Sequence, residues 1–165
     1  MEVGSIARLL VAYHRGDAKV KALVDAVLTK AGKQPEHLNS VLGRHAARAI
    51  ETKLIADRCL EWVDQLKPGE PTFKDFDIPA EAKGAGLTEA PRGALGHWID
   101  IRDHVIANYQ CVVPTTWNCS PRDDKGQPGA IEQALVGTPV ANQEHPIEAA
   151  RVVRSFDPCI ACAVH

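Results

Sequence analysis

The chain has 165 residues, a formal net charge of -2, 45% hydrophobic residues and 24% charged ones. That is enough apolar material for one domain with a real core, and it argues against disorder. No block of lysine or arginine stands out, which argues against nucleic acid as a partner, and no run is long and apolar enough to span a bilayer.

Residues 2–14 place Val3, Ile6, Leu9, Leu10 and Tyr13 at three- and four-residue spacing, which predicts an amphipathic helix ended by Gly16. Asp17 is suited to cap a second helix carrying Val20, Leu23, Val24, Val27 and Leu28 on one face, with Gly32 closing it. Asn39 or Ser40 caps a long third helix. Leu42, Ala46, Ala49, Ile50, Leu54, Leu60 and Val63 form its drifting apolar stripe, and Lys67-Pro68-Gly69 stops it. Residues 70–83 alternate prolines and charges with Phe73, Phe76 and Ile78, and read as a surface loop pinned by its aromatics.

Glycines at 84, 86, 93 and 96 surround residues 88–92, a loop-like stretch. Residues 97–101 and 104–113 then read as two β-strands, with Arg102-Asp103 as the hairpin turn between them. Pro114 leaves the sheet, and residues 120–126 carry turn chemistry. Two short helices follow near residues 130–136 and 146–154, Pro146 suiting a first helical position. The expected fold class is α+β, mainly α, in a single domain. A helical bundle part spans residues 1–67; a hairpin, glycine-rich loops and a C-terminal metal site occupy residues 84–165.

The last stretch carries the chemistry. Cys159 and Cys162 are three apart, behind Pro158, with His165 just beyond and Asp157 in front as a hydrogen-bond acceptor. Proline biases Asp157 toward an extended backbone, and two soft thiols on one side suit one soft metal ion. The spacing alone also serves zinc sites, iron-sulfur clusters, dithiol redox centres and buried pairs without metal. A thioredoxin-type pair would lie between a strand and a helix near a domain start, and a zinc knuckle would need a second matching pair. Cys59, Cys111 and Cys119 supply no second C-x-x-C, so half of a site remains.

Five cysteines without regular spacing do not form a secreted disulfide framework. Residues 1–5 lack the basic start and apolar segment of a secretory signal, so a protein acting outside the cytoplasm would be carried there by another. Other residues have plainer readings. Cys59 reads as core, Cys111 as a strand cysteine, and His45, His97 and His104 as hydrogen-bonded structural residues. Trp62, Trp98 and Trp117 read as core or interface anchors, and Asp123 with Asp124 as a solvated turn.

Four stretches in order resemble the large subunit of nickel-iron hydrogenases, most closely the membrane-bound uptake type. They are residues 1–4 (MEVG), 89–97 (EAPRGALGH), 109–118 (YQCVVPTTWN) and 157–165 (DPCIACAVH). The resemblance runs over the whole chain. It implies that a second cysteine pair lies in an upstream segment that this chain does not contain, with Met1 an internal methionine and His165 the residue left by a maturation protease. It further implies Cys159 as a terminal nickel ligand and Cys162 as a thiolate bridging nickel and iron.

Carbon monoxide and cyanide on the iron would sit in a pocket of Pro91, Arg92, Leu95, Val113, Pro114 and Thr115. Arg92 and the Thr115 hydroxyl can donate to cyanide, and Leu95, Val113 and Pro114 offer an apolar seat to carbon monoxide. His165 would bind Mg2+ together with the backbone carbonyl of Cys111.

The implied reaction is reversible heterolytic cleavage of H2. Cys159 is the expected first proton acceptor, Arg92 an electrostatic stabiliser, and Asp157 the group that orients it. Because guanidinium groups are normally always charged, an arginine base would need its proton drawn away. The implied partners are a small subunit with iron-sulfur clusters, the upstream part of the large subunit, and a membrane cytochrome or quinone-linked acceptor. The implied location is membrane-associated on the periplasmic side, reached by export with a signal-bearing small subunit. Cys119 stands where the family would place glycine or another small residue, and reads as a buried small apolar position ahead of a free thiol near the site. Competing readings are a non-catalytic relative holding a structural metal and a dithiol redox module.

Overall fold

A computed structural model describes residues 1–163; His165, the expected magnesium ligand, lies outside the described residues. The architecture is helical with one small antiparallel sheet. Its first part holds α1 (Ser5–His14), α2 (Ala18–Ala31), a 3-10 turn (Pro35–Leu38) and α3 (Val41–Val63). The sheet follows as β1 (Glu81–Ala90), β2 (Gly93–Arg102) and β3 (Val105–Val112). Then come α4 (Pro114–Asn118), α5 (Ala130–Leu135), α6 (Ile147–Ser155) and α7 (Ile160–Ala163).

Side-chain caps set the helix boundaries. Asp17 accepts from the Val20 N–H at 2.9 Å to start α2, and Gly32 ends it in the left-handed region at φ 61. Ser40, not Asn39, caps α3, accepting from the Gly43 N–H at 3.1 Å. At Gly43 an added Cβ would lie 1.9 Å from the Leu38 carbonyl oxygen, so the 3-10 turn can fold onto α3 only over a glycine.

The core joins Ile6 and Leu9 of α1, Val20, Val24 and Leu28 of α2, Leu38, and Ala47 and Ile50 of α3. On α3 the buried face is Gly43, Arg44, Ala47 and Ile50, whereas Leu42 is 79% and Leu60 72% exposed. Of the apolar stripe expected along the helix only Ile50 is buried; Ala46 and Leu54 are half-buried, and Leu42, Ala49, Leu60 and Val63 are exposed, so the helix packs on a different face in its first half. Cys59, on the uncovered half, is exposed rather than core.

The sheet has order β1-β2-β3, antiparallel throughout, so β2 is central. Where the sequence reads as glycine-lined loop, β1 pairs with β2, Gly84 opposite Ile99 and Gly86 opposite His97. Pairing across a partner strand overrides the weak β-propensity of glycine. The β2–β3 turn is Asp103-His104, one residue later than Arg102-Asp103. Both residues have positive φ, 52 and 62, which matches the twist of a two-residue hairpin and suits Asp at its first position. Phe73 and Phe76 are exposed and do not pin the loop before β1. Pro146 sits at the N-cap of α6, one position before the helix begins.

Candidate metal centre

Two arginines on the first half of α3 hold the segment that carries the thiols. Arg44 donates to the Glu2 carboxylate at 2.7 and 2.8 Å and lies 3.8 Å from the centroid of the Phe156 ring. Arg48 donates to the Ser155 carbonyl at 2.7 Å, and Ser155 is fully buried. One turn of α3 thus grips both the first residues of the chain and the end of α6. Asp157 then takes φ 52, left-handed rather than extended, so Pro158 did not impose the backbone expected of it.

Past that reversal the Cys159 N–H donates to the Thr115 hydroxyl oxygen at 3.1 Å, anchoring the thiol segment to the first turn of α4. Thr115 is buried, and its own hydroxyl proton is not used in that bond. The sulfurs of Cys162 and Cys159 face each other at 2.7 Å. This hydrogen bond from Cys162 holds the Cys159 thiol below its usual range, helped by the charge of Arg92, and it pushes the Cys162 thiol up.

Arg92 occupies the two-residue turn between β1 and β2, where Ala90 pairs with Gly93. Its Nε donates to the Asp157 carbonyl at 2.9 Å, and the guanidinium pairs with the Asp157 carboxylate at 3.1 Å. Behind the turn lie Val3 and Gly4. A Cβ added at Gly93 (φ 135) would meet the Val3 side chain at 2.6 Å and the Gly4 nitrogen at 2.7 Å. On the other side buried Asn118 accepts from the Val3 N–H at 2.9 Å and donates to the Val3 carbonyl at 3.0 Å. Four sequence stretches that lie far apart in the chain therefore meet around Val3, Arg92, Thr115 and Cys159.

Of the expected site residues, Cys159, Cys162, Arg92, Asp157 and Thr115 are linked by these contacts. Val113 and Pro114 are buried beside Thr115, Leu95 and Cys111 are half-buried at the β2 and β3 ends, and Pro91 is exposed. Cys119 is exposed rather than buried, with partial desolvation pushing its thiol up. Among the described residues no group of three or more His, Cys, Asp or Glu side chains forms a complete metal-ligand set. Two converging soft thiols beside a guanidinium fit part of the ligand set of a soft or borderline metal such as nickel.

Sequence reasoning missed Arg8, Arg44, Arg48 and Glu51, and assigned no role to Asn118. A signal existed for one of them, since Arg44 shares a helical face with Ala47 and Ile50, an odd place for a charge unless it has partners.

A family model described as nickel-dependent hydrogenase matches residues 1–165. The uptake hydrogenase large subunit of Bradyrhizobium diazoefficiens and the hydrogenase-1 large chain of Escherichia coli are each 47% identical over all of this chain. The chain spans 29% of the length of either relative. Among solved structures, the Ni-Fe-Se hydrogenase of D. vulgaris Hildenborough matches all of the chain with a TM-score of 0.83 at 39% identity, the chain covering 35% of it. That of Desulfomicrobium baculatum matches with a TM-score of 0.83 at 41% identity, again over 35% of its length.

Proposed function

The chain belongs to the nickel-dependent hydrogenase family, and from that premise we propose that it is the C-terminal portion of a catalytic large subunit that cleaves H2 reversibly and heterolytically. The observation that carries the reading is the facing pair Cys159 and Cys162 under a guanidinium that Asp157 holds from two sides. The ligand set is completed by a second cysteine pair from the upstream part of the subunit.

In this reading Cys159 and Cys162 would be thiolate ligands of a nickel-iron centre, and the Cys111 carbonyl and His165 would be ligands of Mg2+. Such a centre, with CO and CN on its iron, would supply the Lewis acidity for cleaving H2. The chain's residues supply the rest. Cys159 Sγ accepts a proton. Arg92 keeps a fixed positive charge whose field reaches both thiols, where developing negative charge is stabilised. Asp157 restrains the guanidinium through backbone and carboxylate contacts. Thr115, fixed by the Cys159 N–H, keeps a hydroxyl proton to donate, buried Val113 and Pro114 keep water from its neighbourhood, and Leu95 and Pro91 would line the same pocket.

H2 yields two protons and two electrons, and these electrons leave through iron-sulfur clusters of a small partner subunit toward a membrane cytochrome or quinone-linked acceptor. The assembled enzyme is membrane-associated on the periplasmic side, exported with a signal-bearing small subunit. No helix among the described residues is long and apolar enough to cross a membrane.

Metal analysis and infrared spectroscopy of the complete enzyme test this. Nickel and iron in roughly equal amounts beyond the partner's clusters, with bands from CO and CN that vanish in Cys162→Ser along with H2 uptake, are the expected result. Zinc alone, or a reversible Cys159–Cys162 disulfide without metal, would overturn it.

A further inference from the structure

We propose that Arg8 is a positioning residue for Arg92, setting its backbone from below; the inference rests on the hydrogenase reading above. Arg8 projects from α1 and is only 23% exposed at its side chain. Its Nε and Nη2 bind both carboxylate oxygens of Glu51 on α3, at 2.5 and 2.7 Å. The same guanidinium donates to Glu89 at 2.7 Å, to the Ala90 carbonyl at 3.0 Å and to the Pro91 carbonyl at 2.8 Å. Glu51 is itself fixed by the Ser5 hydroxyl.

The Pro91 carbonyl belongs to the peptide plane whose N–H is that of Arg92. A peptide unit is planar, so holding that oxygen holds the plane from which Arg92 departs. The proline ring already locks φ of Pro91, and the bond from Arg8 restrains its ψ. Between them the turn has little freedom left before Arg92. Gly93, wedged against Val3 and Gly4, fixes the chain on the far side. The planar fork of arginine reaches both oxygens of Glu51, Glu89 and two carbonyls at once, five acceptors where a lysine ammonium has three donors. Arg8 touches none of the thiols, so its effect passes through Arg92.

The test is a double-mutant cycle in the complete enzyme, large and small subunits assembled, comparing Arg8→Met, Arg92→Lys and the pair. Arg8→Met should lower kcat for H2 oxidation by about tenfold or more, since small misplacements of a catalytic group carry losses of that size. KM for H2, the metal content and the CO and CN bands should stay as in wild type. The double variant should be no slower than Arg92→Lys alone, because both remove the same placement. Activity of Arg8→Met within twofold of wild type, or losses that multiply in the double variant, would overturn the inference. Should Arg8→Met fail to assemble, Glu51→Gln replaces it: a several-fold loss of kcat that does not add to Arg92→Lys is expected, and a wild-type rate or multiplying losses sink the idea. A wild-type enzyme without nickel or H2 turnover would instead refute the hydrogenase reading, and this inference with it.

Discussion

Asn118 offers one acceptor and one donor side, and the backbone of Val3 uses both. The pair is buried, so Asn118→Ala leaves an N–H and a carbonyl unpaired away from water, at about 1–3 kcal/mol for each group. The expected loss is about 3 kcal/mol, read as a lower urea midpoint with an unchanged slope. Asn118→Asp keeps the acceptor for the Val3 N–H but sets a carboxylate against the Val3 carbonyl, and should be no better. Because Val3 backs Gly93, which follows Arg92, either change should also slow turnover in the assembled enzyme. None of this was legible in a side chain that reads, in sequence, as one letter of a motif. The partners lie 115 residues apart, and only the fold brings them together.

At the scale of elements, glycines with similar sequence signatures separate into two kinds. Gly32 closes α2 at φ 61 with nothing near its missing Cβ, whereas Gly93 at φ 135 is closed in by Val3 and Gly4. Gly32→Ala should cost about 1 kcal/mol, the left-handed penalty alone. Gly93→Ala adds backbone overlap to strain, with an expected loss of about 3 kcal/mol or more and a displaced Arg92. Equal midpoints for the two variants would refute the distinction.

The joint between α1, α3 and the β1–β2 turn also carries a pH signature. Burial pushes the Glu51 carboxyl up, but hydrogen bonds from Arg8 and Ser5 and the charge of Arg8 outweigh it, leaving the group below its usual range. A depressed carboxyl contributes its stability above the unfolded value, about 4.3 for glutamate, and loses it as pH falls through the folded value. Stability should therefore drop on acidification below about pH 4.3, and Glu51→Gln should flatten that part of the curve. Helix caps and the core faces of α1 and α2 were legible because their causes are local: Asp17, Gly32 and three- and four-residue spacing suffice. The strand β1 was not, because Gly84 and Gly86 become strand only by pairing with β2. The cysteine pair was visible by its spacing, while the arginines that place it depend on contacts across the whole fold.

Over the whole molecule, the described residues build a small core and leave large apolar faces open. On the second half of α3, Ile55, Leu60, Trp62 and Val63 are exposed, and on the sheet so are Leu87, Val105, Ile106 and Tyr109. Patches of this extent mark contact surfaces. The chain spans 29% of the relatives it matches, and under the proposed function the rest of the large subunit and its partner would cover them. Amides that open easily exchange quickly, and burial by a partner slows them by a factor that grows exponentially with the binding free energy. In the chain expressed alone, residues 55–63 and the strands β1 and β3 should exchange hydrogen fast, while Ile6, Leu9 and Val24 of the core should already be protected. Assembly into the complete enzyme should slow the first group by about a hundredfold or more and leave the core amides nearly unchanged. Fluorescence offers a second reading, because Trp62, Trp98 and Trp117 are 48%, 39% and 41% exposed and their emission should shift to the blue on assembly. Exchange and emission identical in the isolated and assembled chain would mean that these faces stay open to water, and that the thiol pair must find its missing ligands by another route.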